Sequence, residues 1–170
     1  MYVSEIMTKD PKAVGPNTSL LDVASMMNLY RLPALPVVDE HNKLIGNISE
    51  KDILKNLLPS MEDIVDGSVN TQLDSMISNY SKQMRIVTSS VMAKNPISAK
   101  EDMHILKATA LMTSHNFRRL PVTDNMNQLI GVMSLGDVHK AIFHSHISAK
   151  QHSPENSLSN ETYFGSLPLN

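Results

Sequence analysis

The chain has 170 residues, 41% of them hydrophobic and 19% charged, with a formal net charge of −2, proportions typical of a soluble globular protein. The near-neutral charge gives no electrostatic case for bulk nucleic-acid binding, and the lack of cysteine excludes disulfides and thiolate metal sites. No apolar run approaches the length of a membrane span, and the first residues lack a basic-then-apolar leader, so a cytoplasmic location is the expectation.

Taken in order, residues 2–10 carry Val3, Ile6 and Met7, which suit a lead-in turn docked on a core. Pro11 to Val14 is short and extended, and Gly15-Pro16 stops it. A helix follows, with Asn17 or Thr18 as its expected cap. Leu20, Val23, Ala24 and Met27 form one apolar face at i, i+3, i+4 and i+7. Leu35-Pro36-Val37-Val38 and Leu44-Ile45-Gly46 flank the turn Asp39 to Lys43, the pattern of a hairpin, and Ser49-x-x-Asp52 opens a second helix. Residues 71–85 place Leu73, Met76, Ile77, Tyr80 and Met84 on one helical face, which predicts an amphipathic helix. It could cover the core of its own chain or meet a partner. The segment 147–170, rich in Ser, Asn, Gln and Pro without a period, is expected to be disordered.

The elements of the first third recur later. Pro36 and Pro121, Gly46 and Gly131, and Asp52 and Asp137 share one offset of 85, and 17 of 52 positions are identical when 4–55 is laid on 89–140. Asp102 takes the place of Asn17 as the expected second cap. Each copy therefore reads strand, helix, strand, strand, helix. Such an arrangement leaves one sheet face to cover, which explains why two copies occur together. The expected division is 1–58 for the first unit, 59–88 for a linker with the amphipathic helix, 89–146 for the second unit, and 147–170 for the tail.

Met7-Thr-Lys-Asp-Pro11, Leu35-Pro-Val-Val-Asp39, Leu44-Ile-Gly46 and Ser49-x-x-Asp52, in this order and spacing, resemble the CBS domain. Met92 to Pro96, Arg118-Arg-Leu-Pro-Val122, Leu129-Ile-Gly131 and Ser134-x-x-Asp137 resemble a second one. The resemblance spans residues 4–57 and 89–143. It implies a stand-alone tandem pair (a Bateman module) of α+β class, two units packed through their sheets with pseudo-two-fold symmetry. It further implies a homodimer formed through the helices.

Ser49-x-x-Asp52 and Ser134-x-x-Asp137 carry two meanings. By residue chemistry each is close to a capping box, the serine accepting at a helix start and the acid reaching back. By resemblance, the same pair holds the ribose of an adenine nucleotide. An aspartate near a phosphate would repel it, so cations must stand elsewhere. Arg118 and Arg119 are the best candidates, because a guanidinium fork binds phosphate oxygens in pairs. Lys51 is next and Arg31 third. Repeat one has Pro33-Ala34 in place of the arginine pair. The adenine is expected against the segments after each proline, through Ala13 and Val14 in one unit and Ile97 and Ser98 in the other, with Ser98 able to offer a hydroxyl.

His139, His144 and His146 lack the spacing of metal ligands, so no metal site is expected. No nucleophilic triad, phosphate-cradling glycine loop or framed carboxylate pair is present, and an enzyme is not expected. Two readings follow. The first is a non-catalytic regulatory module that binds AMP, ADP, ATP or a similar adenine compound in the cleft between its units and signals to a protein partner. It needs no cofactor and no nucleic acid or membrane. The alternative is an interaction module with empty clefts that recruits a partner through the linker helix or the tail.

Overall fold

The computed structural model describes residues 1–55 and 80–151. The elements run α1 (Val3–Ile6), β1 (Thr8–Lys9), α2 (Leu20–Tyr30), β2 (Ala34–Val38), β3 (Leu44–Ser49) and α3 (Glu50–Lys55). They continue with α4 (Tyr80–Gln83), a 3-10 turn at Thr88–Ser90, β4 (Ala93–Lys94), β5 (Ala99–Lys100), α5 (Ile105–Ser114), β6 (Arg119–Thr123), β7 (Leu129–Ser134) and α6 (Leu135–Gln151). Two sheets form, one ordered β2-β3-β4 and the other β1-β7-β6-β5. The α+β expectation is met.

The duplication is visible in the cores. Leu20, Val23, Met27, Leu35, Val37, Ile48 and Ile53 are buried in one, and their partners 85 residues on, from Ile105 to Val138, are buried in the other. Val23 is matched in the second core by a smaller Ala108, and Ile48 by an unbranched Met133, so the two cores differ in detail at equivalent buried positions. Both hairpins carry a bulge at the same place, between Val37 and Val38 and between Val122 and Thr123. The first strand of unit one is reduced to a bridge at Val14, which pairs with Val37. Gly15-Pro16 follows at once, and proline has no N–H to extend the ladder. In unit two the same stretch continues as β5, parallel to β6.

Each unit lends its lead-in to the other. β1 pairs antiparallel with β7, and β4 with β3. The Val3 and Ser4 amides donate to the carbonyls of Met103 and Glu101, both at 2.9 Å, and the Thr88 and Ser89 amides do the same to Thr18 and Pro16. Val3 is fully buried in the second core. Met84 is buried in the first. The lead-in expected as a turn docked on a core is thus a short helix and strand, docked on the core of the opposite unit.

Several local expectations are corrected. The cap of α2 is Ser19, whose hydroxyl accepts the Asp22 amide at 3.2 Å, because the Thr18 hydroxyl is already engaged by the Gly15 amide at 3.1 Å. The cap of α5 is His104, whose Nδ1 accepts from the Leu106 amide at 3.3 Å, and not Asp102. α6 runs on to Gln151, past the expected end of unit two at 146, so the start of the stretch expected to be disordered is helical. Most of the helix expected over 71–85 lies outside the described residues. Its described end is α4, which leads into the buried Met84.

Candidate functional site

Pairing the two units leaves a cleft of about 400 Å³ where their sheets and lead-ins meet. The first unit supplies Asp10, Pro11, Lys12, Tyr30, Leu32, Ala34, Pro36 and Asn47, and the second supplies Arg119, Pro121, Val132, Ser134 and Asp137, with Thr8 completing the wall. Apolar walls with a few convergent polar groups are the usual make-up of a small-molecule site.

Ser134 and Asp137 stand at the start of α6. The Asp137 carboxylate Oδ2 accepts the Ser134 amide at 2.8 Å and the Ser134 hydroxyl at 2.6 Å, while the Ser134 hydroxyl oxygen accepts the Asp137 amide at 3.1 Å. This is the capping box expected from the residues, and it also lines the cleft. Only Oδ2 is used, which leaves Oδ1 without a partner among the described residues. Ser49 and Asp52 make the same box, with the carboxylate at 2.8 Å from the amide and 2.6 Å from the hydroxyl. They do not line this cleft.

The cations divide. Arg118 and Arg119 are both exposed; Arg119, the first residue of β6, lines the cleft and Arg118 does not. Lys51 and Arg31 are also exposed and outside the lining; the backbone of Arg31 forms the left-handed C-cap of α2. A second cation comes from Lys12, whose ammonium sits 4.9 Å from the centre of the Tyr30 ring. Asp10 and Asn95, at matching positions of the two units, both hold left-handed backbone, with φ of 52° and 54°. Short polar side chains tolerate this conformation, and here it turns the lead-in from β1 toward Pro11 and Lys12.

The segment expected to meet the adenine reaches the cleft only at its first residue, Lys12. Val14 is buried in the first core and Ala13 is half-buried, and neither lines the cleft. The lead-in meets the cleft through Pro11 and Lys12. Ile97 packs on the second core, and the Ser98 hydroxyl lies 3.4 Å from that of Thr123, also away from the cleft. Tyr30, Asp10 and Asn47 were not singled out from the sequence. The signal for Tyr30 was weak: it closes a helix, and its partner at 115 is a histidine.

The arrangement is that of a tandem α+β pair with a small-molecule cleft between its halves. The family model of the CBS domain matches residues 3–59 and 87–144, and the chain belongs to the CBS-domain family. It is 32% identical over 154 residues to an uncharacterised protein of Methanocaldococcus jannaschii, covering 84% of this chain and 91% of that one. It is 29% identical over 136 residues to the inosine-5'-monophosphate dehydrogenase of the same organism, but spans only 22% of that enzyme. Among solved structures, it is 26% identical to the Arabidopsis thaliana CBS-pair protein CBSX2, crystallised in complex with AMP. That match has a TM-score of 0.66 and covers 85% of this chain and 98% of that one. Among the described residues, no helix is long and apolar enough to cross a membrane, and no group of three or more His, Cys, Asp or Glu could hold a metal ion.

Proposed function

We propose that the chain is a non-catalytic regulatory module that binds an adenine nucleotide in the cleft between its units. The observation that carries this reading is the Ser134–Asp137 box opening into the same cleft as Arg119 and Lys12. A carboxylate with one free oxygen suits a pair of ribose hydroxyls, and a guanidinium with an ammonium nearby suits a phosphate. The complex of CBSX2 with AMP supports the ligand class. Because residues of both units line the cleft, a ligand there prefers one mutual arrangement of the units by its differential affinity, and that preference is what a protein partner reads. The chain acts as a homodimer, through helix faces that leave Leu21 and Leu106 exposed at matching positions.

The test is a calorimetric competition between AMP and adenosine. Arg119→Ala should lower AMP affinity by about one to two decades, the value of one lost charge-assisted contact of roughly 1.5–3 kcal/mol, and leave adenosine little changed. Arg118→Ala should change neither. An AMP preference that survives Arg119→Ala removes the phosphate from this end of the cleft.

A further inference from the structure

The second unit shows what fills a space that the first unit leaves open. In unit two, the Lys100 ammonium donates to the Thr123 hydroxyl at 3.1 Å and to the Asp124 carbonyl at 2.5 Å. At the matching positions of unit one stand Gly15, Val38 and Asp39. There a groove of about 800 Å³ lies open, with Gly15, Ser19, Asp22, Val38, Asp39 and Glu40 on its walls. The lysine that occupies one unit is missing from the other, and the space for it remains.

The charge of the groove has changed with it. Asp22 stands where unit two has Lys107, and Glu40 where it has Asn125. Three carboxylates therefore line the groove and, among the described residues, no cationic side chain does. Asp39 uses Oδ1 for the amides of His41 and Lys43, both at 2.9 Å, and Asp22 uses Oδ2 for the Ser19 hydroxyl at 2.7 Å. Their second oxygens have no partner among the described residues. His41 and Lys43 are near Asp39 but do not line the groove.

We propose that this groove is a binding site for an alkylammonium group, which takes the place that Lys100 takes in unit two. Methylenes lie against Val38 and Gly15, and the ammonium is shared between the Asp39 carbonyl and the carboxylates of Asp22 and Asp39. A free polyamine and a lysine side chain of a polypeptide offer the same chemistry. The site is separate from the nucleotide cleft, with which it shares no lining residue.

Gly15→Lys is the decisive variant, because it supplies the ammonium from within. A Cβ at Gly15 meets only the Thr18 hydroxyl at 3.8 Å, an ordinary contact, so the variant is expected to fold. Wild type and variant are titrated with spermidine and, separately, with a short capped peptide holding one lysine, while the amide resonances of Val38, Asp39 and Glu40 are followed. Saturable shifts are expected in the wild type and their loss in Gly15→Lys. Asp39→Asn keeps the turn acceptor but removes the charge, and should weaken binding about tenfold. The tighter of the two probes identifies the source of the ammonium. Absence of saturable shifts with both probes at millimolar concentration overturns the proposal. So does persistence of the shifts in Gly15→Lys, or an equal response to magnesium at matched ionic strength, which would mark a merely acidic surface.

Discussion

Gly131 and Gly46 owe their identity to side chains far away in sequence. A Cβ on Gly131 would stand 2.6 Å from the Met7 sulfur and 3.1 Å from the Thr8 carbonyl, and one on Gly46 would stand 2.5 Å from the Met92 sulfur and 3.1 Å from the Ala93 carbonyl. A methionine end can swing away, but a strand carbonyl held in a ladder cannot. Gly131→Ala is therefore expected to cost about 1–3 kcal/mol by overpacking, and Met7→Ala in the same chain to recover part of it. Urea unfolding of the two single variants and the double variant measures the coupling; strictly additive losses would refute it. Methionine and glycine were both legible as repeated positions, yet their contact was not, because it joins residues of opposite units.

Asp137→Ala should weaken AMP binding more than Asp52→Ala does, since only Asp137 lines the cleft, and equal affinities in calorimetry would dismiss the assignment. Asp39 is held below its ordinary carboxyl value of 3.8, chiefly by the Lys43 amide, opposed by desolvation and helped by the His41 amide. A lowered folded value means that this group's contribution is present above about pH 4 and is lost as pH falls through the folded value. Asp39→Ala should accordingly flatten the acid limb of a thermal-melting profile below pH 4. An unchanged limb would place acid sensitivity elsewhere.

Among the elements, helix periodicity and hairpin turns were readable because they are local. Leu20, Val23 and Met27 are buried as their spacing demands, and Asn42 and Asn127 take the left-handed backbone that such turns favour. The partners of α1 and β1 were not readable, because a two-residue strand has no period and its pairing is decided by tertiary fit. Their position makes an asymmetric forecast. Val3→Ala, a change in the first unit by sequence, should destabilise the second unit by about 2 kcal/mol, since Val3 is fully buried in that core. Hydrogen exchange should show protection falling in β6, β7 and α5 before α2. Loss confined to α2 would contradict the exchange of lead-ins.

For the molecule as a whole, symmetry about the pair axis is built into backbone contacts. The hairpin turns meet, with the Leu44 amide donating to the Asn127 carbonyl at 3.0 Å and the Leu129 amide to the Asn42 carbonyl at 2.9 Å. The Asn42 and Asn127 side-chain amides repeat the exchange at 2.9 and 3.0 Å. The outward helix faces, by contrast, keep Leu21 at 56% and Leu106 at 57% exposure. Two equally exposed leucines on equivalent helices suit a self-complementary contact. Light scattering at micromolar concentration should give a dimer mass, and Leu21→Glu with Leu106→Glu should halve it. A monomer mass for the wild type across dilution would remove the homodimer from the reading.

The traded lead-ins also constrain ancestry. A single repeat of this kind cannot complete its own sheet, because the strand beside its β3 or β7 arrives from the other copy. A lone repeat would therefore have to take that strand from a second identical polypeptide. Linking the two repeats in one chain makes that encounter intramolecular and removes its concentration dependence. It also freed the two halves to diverge, as Gly15 against Lys100 and Ala34 against Arg119 record. Residues 85–146 expressed alone should retrace that step and form dimers by trading lead-ins, with stability that rises with protein concentration.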